Sequence, residues 1–315
     1  MESILMDKKS YRVRNWGEYN KTLKQRGSIT VWFNEETVSQ WAAKKEMKRG
    51  RPKIYSEIAI EACVVMRVLF NLPYRQCEGF VGDLLKMMAL DMKVPSYTQI
   101  CRRQTTLEIK LKHTVNTNEP IHVVVDATGL KIFGEGEWKV RQHGYTKRRM
   151  WRKLHVGIDV KTKQFVMMEL TDNHVGENKK LQDLLKQYEG SIDKVGGDKG
   201  YDSYDCHEMV GNLGAKSAIL LQRKAKERKP LREGETPLVR DNIVRRMNEV
   251  GRDQWKEEEQ YHKRSLVENA FFRYKTIFGD TLKSIRIESQ KIEALVACNI
   301  LNKFTEMGMP ISYAK

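Results

Sequence analysis

The sequence predicts a mainly helical N-terminal region followed by an α/β domain, a mixed five-stranded sheet with flanking helices. Three observations carry this expectation. Up to about residue 117, apolar residues recur at helical spacing behind capping residues, whereas from Pro120 onward β-branched runs alternate with helical stretches. The chain has 315 residues, 40% of them hydrophobic, enough for two cored domains and too many for a disordered chain. Charged residues make up 31%, and no apolar run approaches the ~18 residues of a membrane-spanning helix, which excludes an integral membrane protein of helical type.

Ser28 to Phe33 reads as a short strand, and Asn34 then caps a helix whose first turn holds Glu35 and Glu36. Lys48 to Lys53 is a basic hinge containing Gly50 and Pro52, which helices do not readily cross. It resembles the Gly-Arg-Pro core of an AT-hook over six residues, and a plain linker is the simpler reading. Ser56 can cap Glu57 to Phe70, Pro73 can open Tyr74 to Leu90, and Ser96 can cap Tyr97 to Leu111. The last two make a helix-turn-helix-like order. The final helix carries Gln99, Arg102, Arg103, Gln104 and Lys110, groups suited to base edges and phosphates; a helical bundle with a basic surface would look the same.

Ile121 to Val125 is a β-branched strand ending in Asp126. Arg152 to Val160 and Gln164 to Thr171 are strands joined by the turn Lys161-Thr162-Lys163. Glu177 to Tyr188 is a helix with Leu181, Leu184 and Leu185 as its apolar stripe. A fourth strand, Ile192 to Gly197, ends in Asp198, and a helix near Tyr204 to Leu213 leads to a strand at Ser217 to Leu221. Residues 222–257 are polar and read as a long connection before a helix from Glu258 to Phe278. Three strands, helix, strand, helix, strand, helix is the order of an RNase H-like sheet. The boundaries expected are an N-terminal arm at 1–53, a helical DNA-binding domain at 54–117, a catalytic domain at 118–285, and a C-terminal helix and tail at 286–315.

Lys and Arg number 57 against 41 Asp and Glu, a net charge of +16. That surplus points to a polyanion, and nucleic acid is the commonest. It is clustered: residues 1–53 hold 13 basic and 6 acidic groups, Arg141 to Lys153 holds six basic groups, including Arg148 and Arg149, and no acid, and Arg223 to Arg232 holds six against one. Trp138 and Trp151 flank the second cluster and suit either core packing or stacking on a base. Five widely spaced cysteines without a C-x-x-C pair argue against disulfides and zinc fingers and suit buried thiols in a reducing cytoplasm. Charge meets the chain at Glu2, Asp7 and Lys8 before any apolar stretch forms, so no secretory leader is expected.

Asp126 and Asp198 stand at predicted strand ends, where open α/β sheets bind ligands, though an aspartate there can also simply form a turn. Tyr261, Arg264, Glu268 and Lys275 fall within one stripe about 60° wide on a helix advancing about 100° per residue. Val267, Phe271, Tyr274 and Phe278 form the adjacent apolar seam, which suits a half-buried site at the sheet's edge. An intrahelical ion pair between Arg264 and Glu268 would account for two of these residues without any function.

The spacing Tyr261-x2-Arg264-x3-Glu268-x6-Lys275 resembles the Y-(2)-R-(3)-E-(6)-K signature of DDE transposases from bacterial insertion sequences. Val124-Val125-Asp126-Ala127-Thr128-Gly129 looks like the block around that family's first aspartate, and Gly197-Asp198-Lys199-Gly200-Tyr201-Asp202 like the block around its second. The nearest subgroup is the insertion-sequence family numbered five, and the resemblance covers most of the chain.

The resemblance implies Asp126, Asp198 and Glu268 as ligands of two magnesium or manganese ions, hard cations that prefer oxygen. It implies hydrolysis at the transposon ends and attack of the freed 3′-hydroxyl on target DNA. Tyr261, Arg264 and Lys275 would hold terminal phosphates. Double-stranded DNA is then the partner, a homodimer is expected in the DNA complex because two ends are joined, and the protein is expected in the bacterial cytoplasm at the nucleoid. Two other readings keep the residues and change the job: an RNase H-like nuclease without strand transfer, and a transposase-derived DNA-binding regulator that has lost catalysis. Asp202, close behind Asp198, leaves the second ligand ambiguous within its block, and the family pattern favours the first of the two.

Overall fold

The computed structural model describes residues 11–44, 50, 52–133, 150–228 and 236–314. A short strand, β1 (Tyr11–Val13), leads into α1 (Trp16–Arg26), α2 (Ile29–Trp32) and α3 (Glu35–Ser39). The strand expected over 28–33 is therefore a helical turn. A β-branched run makes a strand only when its edge finds a partner. Here the Phe33 amide bonds back to Ile29 O at 2.8 Å, Trp32 meets Phe304 edge to face, and Phe33 is 1% exposed. Asn34 caps α3 as expected, accepting from the Thr37 amide at 2.9 Å.

Three helices follow: α4 (Glu57–Leu69), α5 (Tyr74–Met87) and α6 (Tyr97–Gln104). Ser56 caps α4 by accepting from the Ala59 amide at 3.0 Å, and Ser96 and Gln99 cap α6 reciprocally. α6 stops well before the expected Leu111. The Thr105 and Thr106 hydroxyls donate back to the carbonyls of Arg102 and Arg103, a local bond that competes with helix continuation. Cys101 on this helix is exposed, against the expectation of buried thiols; the other four cysteines are buried.

The sheet consists of β2 (Ile121–Phe133), β3 (Met150–Asp159), β4 (Phe165–Asp172), β5 (Ile192–Gly197) and β6 (Lys216–Ile219), in the order β4-β3-β2-β5-β6. β2, β3 and β4 form an antiparallel meander, while β2–β5 and β5–β6 pair in parallel. The crossovers carry α7 (Glu177–Leu185), a 3-10 turn (Lys199–Tyr201) and α8 (Tyr204–Asn212). This is the RNase H-like arrangement.

Strand alternation divides the sheet between two cores. Val123 and Val125 face α7 and α8, packing with Leu181, Leu184 and Val210. Val124 faces the other way, into a core shared with α4, α11 (Ser265–Phe278) and α12 (Ile287–Met307). Each fully buried aliphatic side chain contributes roughly 1.5–3 kcal/mol. α12 joins the helical region to the sheet: its Glu293 accepts from Arg67 of α4 at 3.4 Å in a buried pair, and its Asn302 bonds the Phe165 backbone on both sides, at 2.7 Å each.

Residues 222–257 are a further correction. They include α9 (Val239–Val250) and α10 (Arg252–Glu258). The buried residues of α9 are Arg240, Asp241 and Val244, so polar contacts rather than an apolar stripe fix it. The Val239 amide donates to Glu208 at 2.7 Å, and the Tyr204 hydroxyl to Asp241 at 2.9 Å. The single helix expected from Glu258 to Phe278 is broken as well. Gln260 adopts φ 55°, and Tyr261–Arg264 forms a 3-10 turn ahead of α11. Finally, β7 (Ser312–Ala314) pairs antiparallel with β1. Among the described residues no helix is long and apolar enough to cross a membrane.

Candidate active site

Asp126 does not end its strand. β2 continues to Phe133, and Asp126 keeps its antiparallel partner Val156. What ends there is the other edge: parallel pairing with β5 stops at Val124–Gly196. Two residues beyond that last pair, on each chain segment, stand Asp126 and Asp198. The cleft between two parting parallel strands is where open α/β sheets present their ligand-binding groups. Being even-numbered like Val124, Asp126 turns toward the layer that holds α11.

Asp126 Oδ1 accepts from the Ala127 amide at 2.8 Å, and Oδ2 from Arg264 Nη1 at 3.2 Å. The other arm of the Arg264 guanidinium is paired with Glu268. Arg264 thus lies between two of the three predicted ligands: the expected Arg264–Glu268 pair exists, running from the 3-10 turn into α11, and it extends to the sheet. Asp126 is only 16% exposed. Burial raises its pKa to about 6, the negative charges of Asp198 and Glu177 push it the same way, and the Ala127 amide and Arg264 oppose them.

Asp198 caps the following 3-10 turn, its Oδ1 accepting from the Gly200 amide at 2.7 Å. It faces a cleft of about 360 Å³ whose charged lining is otherwise cationic: Lys199, Arg223, Arg252, Lys256 and Arg264, with Tyr261 and Leu220 between them. Arg252 and Lys256 escaped the sequence reading because their helix, α10, reads as a loop. Their i, i+4 spacing is the signal that could have found them. Burial raises the Tyr261 pKa, the charges of Asp198 and Asp126 adding to it while Arg264 opposes them.

Tyr261 and Arg264 sit in the 3-10 turn and Glu268 and Lys275 on α11, so the four signature residues span a bend rather than one continuous helix. The seam beside them is as expected, with Val267, Phe271 and Tyr274 buried. Lys275 lies half-buried about two turns beyond Glu268. On α6, Arg102 is exposed, while Arg103 donates to Tyr55 O at 2.6 Å and to Glu57 at 2.7 Å. Trp151 is buried. Arg148, Arg149 and Trp138 lie outside the described residues.

The Asp202 side chain is fully covered and engaged elsewhere. Arg240 Nε and Nη2 reach its carboxylate at 2.7 and 3.1 Å, and the Gln222 amide at 2.8 Å. Burial alone would raise its pKa, but the bonds to His207 and Arg240 outweigh that and hold it well below the usual carboxylate range. It anchors α9 through Arg240 and is not among the residues lining Asp198's cleft.

Among the described residues no three His, Cys, Asp or Glu side chains are gathered, as they stand, into a group able to hold a metal. The donors near Asp126 nevertheless suit a hard cation: all are carboxylate oxygens, and a guanidinium already occupies the space between Asp126 and Glu268.

Two family models match the chain, both described as the transposase DDE domain, one over residues 24–135 and the other over 117–303. Among solved structures, the piggyBac transposase synaptic complex with hairpin DNA aligns at 10% identity and a TM-score of 0.38, covering 91% of this chain and 75% of that one. The Drosophila P element transposase strand transfer complex aligns at 12% identity and 0.30, covering 62% and 43%. Both likenesses are distant. The second family model covers more than half of the chain, across the sheet and all three predicted carboxylates, and on that ground the chain belongs to the family of DDE-domain transposases.

Proposed function

We propose that this transposase binds the terminal repeats of its own insertion sequence, hydrolyses phosphodiesters at the ends and joins the freed 3′-hydroxyls to target DNA, using Asp126, Asp198 and Glu268 to hold divalent cations. The observation that carries this reading is the meeting of Asp126 with the Arg264–Glu268 pair beside the basic cleft of Asp198. Magnesium or manganese, two ions in the scheme favoured here, would supply activation of the attacking hydroxyl and stabilisation of the leaving oxygen.

The chain's own side chains do the remaining work. The Ala127 amide fixes one oxygen of Asp126 and thereby its orientation. Arg264 offers a planar fork that suits a phosphate as well as it now suits two carboxylates. Tyr261 and Lys275 are read as further phosphate contacts, and the cations of the cleft attract the DNA backbone before any specific contact forms. In this reading residues 54–117 contact DNA through Arg102 and Arg103, Arg148 and Arg149 add to the basic surface, and residues 118–285 carry the chemistry. Two copies act together, because two ends must be joined.

The test is incubation with the DNA flanking the reading frame, with and without magnesium, followed by mapping of nicks and joined strands. Magnesium-dependent cuts at the repeat ends and strands joined to a supercoiled target are expected. Cuts without joined strands would indicate a nuclease, and binding without cuts a regulator; either result overturns the proposal.

A further inference from the structure

Of the three acids just discussed, Asp126 and Glu268 meet on the face that holds α11, and Asp198 stands at the tip just past β5. A fourth carboxylate reaches it from the opposite face. Glu177 is the first residue of α7, whose buried leucines pack beneath Val123 and Val125. A side-chain carbon added at Gly200 would fall 2.8 Å from Glu177 Oε2 and 2.9 Å from Asp198 Oδ1. The two carboxylates therefore approach the same point beside Gly200, where a larger residue would make both side chains shift. The one cation paired with Glu177 among the described residues is Lys153, at a loose 3.5 Å.

A glutamate in the first turn of a helix is favourable for the helix dipole alone. That explanation leaves the neighbouring residue unaccounted for. Tyr201 is completely buried, and its hydroxyl has no hydrogen-bond partner among the described residues. Leaving such a donor unpaired costs about 1–3 kcal/mol. Burial raises its pKa, and Glu177, Asp126 and Asp198 are the next contributors, so the hydroxyl lies within the field of these three carboxylates and stays protonated. A buried donor in the field of three acids, with no partner among the described residues, suits a place for a ligand oxygen.

We propose that Glu177 is a fourth carboxylate of the divalent-cation site, entering from the sheet face opposite Glu268, with the Tyr201 hydroxyl positioned behind it to bond a ligand oxygen. This rests on the reading of Asp126 and Asp198 as cation ligands. Glu177 would share the charge of the cations with Asp198 on the side that Arg264 does not reach.

The test uses the full chain and manganese ion alone, without DNA. Affinity is read by electron paramagnetic resonance of free manganese, and stability by thermal melting with and without the ion. Glu177→Gln should weaken manganese binding by about 10–100-fold, abolish most of the ion-induced rise in melting temperature, and leave the metal-free melting temperature unchanged or higher, because one of several like charges is gone. Glu177→Asp, which keeps the charge but shortens the reach, should fall between, and it serves as the second variant should the Gln protein not fold. Tyr201→Phe should weaken binding severalfold. Wild-type manganese affinity in both Glu177 variants, with Asp126→Asn impaired, overturns the assignment of Glu177 and leaves the site standing. Wild-type affinity in Asp126→Asn and Asp198→Asn overturns the underlying reading and this inference with it.

Discussion

Arg264 Nη1 stands 3.2 Å from Asp126 Oδ2, bringing a cation from the turn before α11 onto the central strand of the sheet. Its other arm holds Glu268. One guanidinium therefore pairs with two carboxylates in a half-buried site, and it stands where the cation proposed above would have to bind. Under the proposed function, metal binding and release of Arg264 would be linked events, and the freed guanidinium would be available for a phosphate.

That linkage predicts opposite effects of one substitution on two measurements. Arg264→Ala should tighten manganese binding to the DNA-free protein by severalfold, since a competing cation is gone. The same change should lower end cleavage by at least about 100-fold, because a charge-assisted phosphate contact is lost. Calorimetric titration with manganese and a gel assay for nicks separate the two; a loss on both would mean that Arg264 only braces the acids.

The raised pKa of Asp126 sets a pH window. Its carboxyl, near 6 in the fold against an ordinary value near 4, binds a proton more tightly when folded. Stability from this group is therefore fully present below about pH 4 and is lost as pH rises through about 6. Asp126→Asn should raise stability at pH 7.5 by on the order of 1–3 kcal/mol, and the gain should vanish at pH 4. Denaturant titrations at both pH values check this. In the wild type, manganese affinity should fall steeply below pH 6, as the proton displaces the ion. Cleavage by Asp126→Asn should be undetectable.

Asp202 should behave as a structural residue. Its depressed pKa means that the stability it contributes is present above about pH 4 and lost as pH falls below that value. Asp202→Ala strands the Arg240 charge in a buried position, and breaking such a pair costs about 3–5 kcal/mol. A lower denaturation midpoint with unchanged manganese affinity in the folded fraction is expected. If the variant kept full stability and lost manganese, Asp202 rather than Asp198 would be the second ligand.

The cleft cations should act through charge. Arg252→Ala and Lys256→Ala should each weaken binding to DNA of any sequence and lower the slope of log affinity against log salt by about 1. Fluorescence anisotropy at several salt concentrations reads this directly. An unchanged slope would remove the cleft from the DNA path.

Much of this protein is legible in its sequence because the signals are local. Capping residues Asn34, Ser56 and Ser96 mark true helix starts, the unbroken run of Val123, Val124 and Val125 marks a strand buried on both faces, and the succession of strands and helices marks a mixed five-stranded sheet. The seam of Val267, Phe271 and Tyr274 marks the buried side of α11. Residues 28–33 and 239–250 misled for one shared reason: their conformation depends on distant partners, Phe304 for Trp32, and Asp202 and Glu208 for α9.

By itself the sequence determined which residue types the site has at hand and the order in which strands and helices deliver them, since both follow from periodicity and spacing along the chain. The tertiary structure alone decided which charges meet: Arg264 with Asp126, Arg240 with Asp202, Glu177 with Asp198 across Gly200. Such pairings depend on where β2 and β5 part and on how α7 and α11 lie against them, and long-range packing fixes both.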